Sequence, residues 1–361
     1  MRTGPAYDLS RRMWRDVGVA LIALLVVAVA VAGVGRASVA GSDTPSRSTA
    51  AIVAKDYDLG IRMFRQPGLT GRFAKMPIRL WGTIAAPTGR GPHPIVVVAH
   101  GAHGDGCPGE YGTWPCWNVE QRNDLGFRYL VRALAAAGFV AFAPDLNSAH
   151  TGGWGEGTNK EALRFGQVVD ATLAELARAS RGAPTKFGIP LNGKADLTRL
   201  GLLGHSRGGM NVLQWARGKK AVESVLLVAP FHDPATRVGD VPATILLGTC
   251  DGDTGLSGGK YFTALKTQTR TAPAFQLTVT GANHNYYNQT LASLRADDAP
   301  QRTGCRPSQR PPAKAQQAFL ARVSVDHFTV GVLGAPAVRW MTGPSGGQLY
   351  GQTVVVKRIV P

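Results

Sequence analysis

LTRLGLLGHSRGGMNVLQWARG, residues 197–218, runs from an apolar stretch through a glycine-flanked serine into a helical pattern. LTRLGLLGH (197–205) reads as a strand, and a helix is expected over about 208–217. Between them lies Gly204-His205-Ser206-Arg207-Gly208, a G-x-S-x-G motif, and Gly209 extends the small-residue run. A tight strand-to-helix turn needs small flanking residues and holds the serine hydroxyl at its tip, over the helix N-terminus. Glycine and serine are common, so the motif alone is weak. Its place at the end of an apolar strand gives it chemical meaning. His205 points away from the serine in such a turn and reads as a packing residue.

The same alternation extends in both directions. IVVVAH (95–100), FVAFAP (139–144), VESVLLVAP (222–230), ATILLGT (243–249) and AFQLTVTG (274–281) are short, nearly continuous apolar runs. Helical patterns are expected between them near 124–137, 160–179 and 258–267, with a strand pair beginning at MPIRLWGTIAAP (76–87). Continuous apolar strands separated by helices predict an α/β fold with a mostly parallel central sheet covered by helices on both faces. With 361 residues, 44% of them hydrophobic, one large domain over 56–361 accounts for the pattern. Its C-terminal extension, GGQLYGQTVVVKRIVP (346–361), reads as one or two added strands. About a dozen residues, FHDPATRVGDVP, separate two of the core strands, so no large lid domain is expected there. Ligands of such sheets gather at the carboxyl ends of the strands.

Residues 1–40 differ in character. Arg11, Arg12 and Arg15 precede an uncharged apolar run at 17–35. As a helix it would span roughly 28 Å, close to a bilayer's hydrocarbon thickness. An N-terminal hydrophobic helix kept as a membrane anchor, and a signal peptide cleaved after Ser38-Val39-Ala40, fit equally well; SRRMWR loosely resembles a twin-arginine signal. Either way the arginine bias places the N-terminus inside and exports the rest, with 41–55 as linker. The formal net charge is +17. Residues 1–40 carry five basic and two acidic side chains, which leaves +14 for the exported part. No lysine or arginine block stands out, so the charge reads as a basic surface and no nucleic-acid partner is expected. Four cysteines form an even set in a compartment that permits disulfides, with three possible connectivities.

On GHSRGG, the HG pair after IVVVA and the short strand connections, the chain resembles the α/β-hydrolase superfamily over roughly residues 56–335. It is similar to the branch of dienelactone-hydrolase-like, platelet-activating-factor-acetylhydrolase-like and cutinase-like polyester hydrolases, although dienelactone hydrolases proper use a cysteine where this chain has Ser206. The resemblance implies an α/β-hydrolase fold and a serine nucleophile, acid and histidine in that chain order. Ser206 would attack an ester carbonyl. His284, in GANHNYYN, would be the base, since of the eight histidines it alone lies in the loop directly after the final core strand, His327 falling in a late helix. The acid would come from GTCDGDTG (248–255). Asp251, fourth in a G-x-x-D arrangement common in the superfamily, is preferred over Asp253, and Asp233 in FHDP is a third candidate. The oxyanion donors would be the backbone N–H groups of Arg207 and Ala102. No cofactor is implied.

Other readings of the glycine-rich loop are weaker. GAHGDGCPG does not open a helix, which argues against dinucleotide binding. His100, His103 and Asp105 have only chance spacing for a metal. Length concentrated in 101–123 and 145–160 puts Trp114, Trp117 and Trp154 at the border of the serine, as substrate-binding residues or as loop packing. An aromatic-edged site suits an ester with an apolar acyl or alcohol part. The preferred cysteine pairing is Cys107–Cys116 with Cys250–Cys305, the second tying the acid loop to the segment beyond His284.

Overall fold

A computed structural model describes residues 50–103, 107, 114–116, 119–151, 160–294 and 304–361. Residues 1–40, read as signal or anchor, lie outside the described residues. Among the described residues no helix is long and apolar enough to cross a membrane.

Strand β3 (His93–Ala99) shows why a parallel sheet forms here. Ile95, Val97 and Ala99 enter the core on one face, Val96 and Val98 enter the core on the other, and all five are fully buried. A strand covered on both faces needs apolar residues at every position. The same holds for much of β4 (Val140–Pro144), β5 (Ala195–His205), β6 (Val222–Val228), β7 (Ala243–Gly248) and β8 (Ala274–Val279). These six strands pair in parallel, in the order β4-β3-β5-β6-β7-β8. Antiparallel strands complete both edges: β1 (Ile52–Arg65) and β2 (Lys75–Pro87) beside β4, and β10 (Gln352–Ile359) and β9 (Gly346–Leu349) beside β8. Among the described residues the sheet thus has ten strands and is mixed but mostly parallel.

Helices cover both faces. On one, α3 (Glu161–Ser180), α4 (Arg207–Ala216) and α5 (Gly259–Leu265) bury Phe165, Val169, Leu176, Val212 and Phe262. On the other, α1 (Arg128–Ala136) and a late helix at Ala313–Gly331 bury Leu130, Val131, Leu134, Phe319, Leu320 and Phe328. A short helix α2 (Asn147–His150) follows β4.

Two differences from the sequence reading concern the edges. Residues 52–55, assigned to the linker, are the start of β1. IVAKDYDLGIRMFR carries two aspartates and a glycine, and an edge strand tolerates them because Tyr57 is its one fully buried side chain. Asp56 and Asp58 meet Arg128 and Arg79 at the surface. The strand at 76–87 does not neighbour the one at 95–100, because β4 lies between them. The C-terminal tail is β9 and β10. Val354 and Val356 alternate inward with exposed Thr353, Val355 and Lys357, so the tail covers the edge that β8 would otherwise expose.

Candidate active site

Ser206 sits between the last residue of β5 and the first of α4, with φ 56° and ψ −129°. Positive φ at a non-glycine residue is strained and persists only where the surroundings enforce it. Here they do. A Cβ on Gly204 would lie 2.4 Å from Gly208 O, and one on Gly208 would lie 2.4 Å from His100 O. The glycines of the motif therefore let β5, α4 and the end of β3 close on one another. The turn is pinned by Ser206 N–H donating to Val228 O (3.0 Å) and by Ser206 O accepting from Gly209 (2.9 Å) and Phe231 (3.0 Å).

The loop after β3 lies directly against this turn. A Cβ on Gly101 would be 2.5 Å from Ser206 Cβ and 3.1 Å from its Oγ. Ala102, the expected oxyanion residue, is next in the chain. Arg207 N–H, the other expected donor, is the first of α4 and has no intrahelical acceptor by position.

After β8 the chain turns at fully buried His284, whose Nδ1 donates to Asp251 Oδ2 at 2.9 Å. Asp251 is 3% exposed and organises its own loop. Its Oδ1 accepts from the backbone of Asp253 (2.9 Å), Thr254 (2.8 Å) and Gly255 (3.1 Å), and its Oδ2 also accepts from Thr254 Oγ1 (2.9 Å). Burial pushes this carboxyl up, but the His284 bond and charge, with the Thr254 and Gly255 donors, outweigh it and hold Asp251 below its ordinary value. Asp253 is more than half exposed, and its Oδ2 lies 3.5 Å from His284 Nε2, the opposite side of the ring. Asp233 takes a turn-forming role, accepting from Thr236 Oγ1, Ala235 N–H and Gln214. The structure thus brings Asp251, rather than Asp233, to the Nδ1 of His284.

His205 does more than pack. Its Nε2 donates to His284 O at 3.0 Å, and its ring centroid lies 4.6 Å from that of His284. Burial and the neighbouring His284 push it well below the ordinary histidine value, so it is a neutral donor that fixes the His284 backbone. The 4.6 Å distance between ring centroids and the bond between loops separated by 79 residues carry no local sequence signal.

Both disulfides have the expected partners, Cys107–Cys116 and Cys250–Cys305, and are compatible with an exported protein. Cys250 N–H donates to Ala282 O (3.0 Å), and Gly281 N–H donates to Thr249 Oγ1 (2.8 Å). The acid loop and the histidine loop are therefore joined by backbone bonds and by a covalent link closing 55 residues. By chain entropy that link contributes about 4 kcal/mol and the shorter one about 2.7 kcal/mol. Replacing Cys250 and Cys305 together by Ser is expected to lower unfolding free energy by roughly that larger amount. Denaturant midpoints of the two proteins check this, and equal midpoints would refute it.

The tryptophans divide. Trp114 packs half-buried against the core and donates Nε1–H to Pro77 O (2.7 Å), a packing contact with β2. Trp117 and Trp154 lie outside the described residues. Two exposed apolar side chains missed by sequence reasoning lie in the loops after β6 and β7. Phe231, 44% exposed, has its N–H on Ser206 O, and Leu256, 54% exposed, lies in the acid loop. Their signal was position, just beyond the carboxyl ends of β6 and β7. Of the weak metal trio, His100 has both ring nitrogens engaged, Nδ1 by Gly101 O and Nε2 by Leu146 N–H. Burial with the nearby His150 pushes it down to about 3. Asp105 lies outside the described residues.

Backbone donors beside a strained serine and a buried Asp–His pair are the parts needed for acyl transfer. No family model matches the chain, and no curated protein matches it.

Proposed function

We propose that the protein is an exported serine hydrolase of carboxylic esters, built on the α/β-hydrolase fold. One observation carries this reading: buried Asp251 orients His284 at 2.9 Å in the loop after the last parallel strand, while Ser206 occupies a strained elbow at the end of β5. Ser206 Oγ attacks the carbonyl as His284 Nε2 takes its proton. The tetrahedral oxyanion is held by the N–H groups of Ala102 and Arg207, and the same proton passes to the leaving alcohol. Water then repeats the sequence on the acyl-enzyme, with His284 as base. Side chains, backbone and water supply every step. Phe231, exposed and with its N–H on Ser206 O, offers apolar surface for an acyl or alcohol group.

A fluorophosphonate is expected to label Ser206 of the folded protein. A chain-length series of p-nitrophenyl esters, run beside an amide and an insoluble polyester, should show ester turnover favouring an apolar acyl group. Folded protein that neither labels nor turns over any ester would overturn the reading in favour of a non-catalytic envelope-binding module. Faster transfer to an added alcohol than to water would make it an acyltransferase, and faster amide cleavage a peptidase.

A further inference from the structure

Behind the elbow, outside the Ser-His-Asp set, lies a buried carboxylate with an unusual number of donors. Glu161, the first residue of α3, is 3% exposed. Its Oε1 accepts from His150 Nδ1 (2.8 Å), Asn211 Nδ2 (2.7 Å) and Arg207 Nε (3.2 Å), and its Oε2 accepts from Arg207 Nη2. Burial alone would push Glu161 up; the bonds and charges of His150 and Arg207 overcome it and bring it down to about 2.

The destinations of these bonds matter more than their number. Arg207 and Asn211 belong to α4, and the Arg207 N–H is one expected oxyanion donor. His150 uses its other nitrogen, Nε2, to donate to His100 O at 3.2 Å. His100 begins the segment His100-Gly101-Ala102, whose Ala102 N–H is the second expected donor. One carboxylate therefore ties together the two backbone segments that carry the oxyanion hole. Both ring nitrogens of His150 face oxygen atoms, Nδ1 that of Glu161 Oε1 and Nε2 that of His100 O. Arg164 holds the chain on either side of it, donating to Ala149 O (3.2 Å) and Thr151 O (2.6 Å). Glu161 thus joins His150, which holds the His100 segment, to the Arg207 guanidinium at the start of α4.

We propose that Glu161 is a positioning residue that holds the Ala102 and Arg207 N–H groups at their mutual spacing in the transition state. The proposal rests on the ester-hydrolase reading. Its chemical requirement is specific: glutamine at 161 would turn an NH2 group toward one of three donors and remove the anion from between His150 and Arg207. The local backbone would remain, but the bridge would open.

The test compares wild type, Glu161→Gln and Glu161→Asp in kcat and KM for a p-nitrophenyl ester, in affinity for phenylboronic acid, and in thermal unfolding. The boronic acid adds to Ser206 Oγ, and its tetrahedral adduct places an oxygen in the oxyanion hole. Glu161→Gln is expected to lose about 10²- to 10³-fold in kcat, the scale of one lost oxyanion donor, with KM changed less than about threefold. Boronate affinity should fall in proportion to kcat. Glu161→Asp should recover part of both. Unchanged kcat in folded Glu161→Gln, or a loss of kcat with boronate affinity intact, would overturn the proposal. Should Glu161→Gln fail to fold, His150→Gln leaves the Glu161–Arg207 pair in place and is expected to give the same paired loss. Wild type that neither labels with a fluorophosphonate nor turns over esters would sink the hydrolase reading itself. Labelled wild type beside an unaffected Glu161→Gln would sink only the positioning role.

Discussion

Ser206→Ala is expected to lower kcat for a p-nitrophenyl ester by about a million-fold, with the fold and thermal midpoint unchanged within about a degree. The size follows from what the hydroxyl does. With Oγ gone no acyl-enzyme forms, and the remaining acceleration comes from binding and the backbone donors alone. The structural effect should be small, because the Ser206 side chain makes no capping bond to α4 and alanine fits wherever serine does. Ser206 is also 4% exposed, so little solvent contact changes. His284→Ala should cost nearly as much, and the double variant little more than either, since residues acting as one unit are not additive. Active-site titration of the preparations is needed beside the rates, because a trace of wild type would dominate the residual activity. A Ser206→Ala protein retaining a tenth of wild-type kcat would remove Ser206 from the mechanism.

The legibility of this site in the sequence varied with how local each cause was. β3 and β5 were legible because strands buried on both faces need unbroken apolar runs, and the elbow because its glycines are demanded within five residues. β1 was not, since an edge strand with one fully buried side chain can carry Asp56, Asp58 and Gly60. Strand order was also hidden: parallel neighbours are joined by crossovers, so sequence adjacency does not show that β4 enters between β2 and β3. Within the site, His284 could be placed by topology alone. Glu161 could not, because its partners are 11, 46 and 50 residues away and meet only when α2, α3 and α4 pack together.

The aspartates of GTCDGDTG separate on the same basis, and their variants should differ sharply. Asp251→Asn is expected to lower kcat by about 10⁴-fold, and Asp253→Asn by less than about threefold. Asparagine at 251 can keep its carbonyl oxygen where Oδ1 now accepts three backbone N–H groups, so the loop should hold. Its amide nitrogen would then face His284 Nδ1 and donate to it. That places the imidazole proton on Nε2, where it can no longer accept the serine proton. Asp253 meets the ring from the other side, 3.5 Å from Nε2, and solvent screens a side chain this exposed. A pH series tests the role of Asp251 again. Because Asp251 in the folded protein lies below its ordinary value, it stabilises the fold above the unfolded carboxyl's pKa, near 3.9, and that contribution is lost as pH falls through the folded value. Asp251→Asn should therefore flatten the acid limb of stability. Rates of the two variants and the acid-unfolding curve of Asp251→Asn decide the matter: a larger loss from Asp253→Asn would make Asp253 the triad acid and reduce Asp251 to an organiser of its loop.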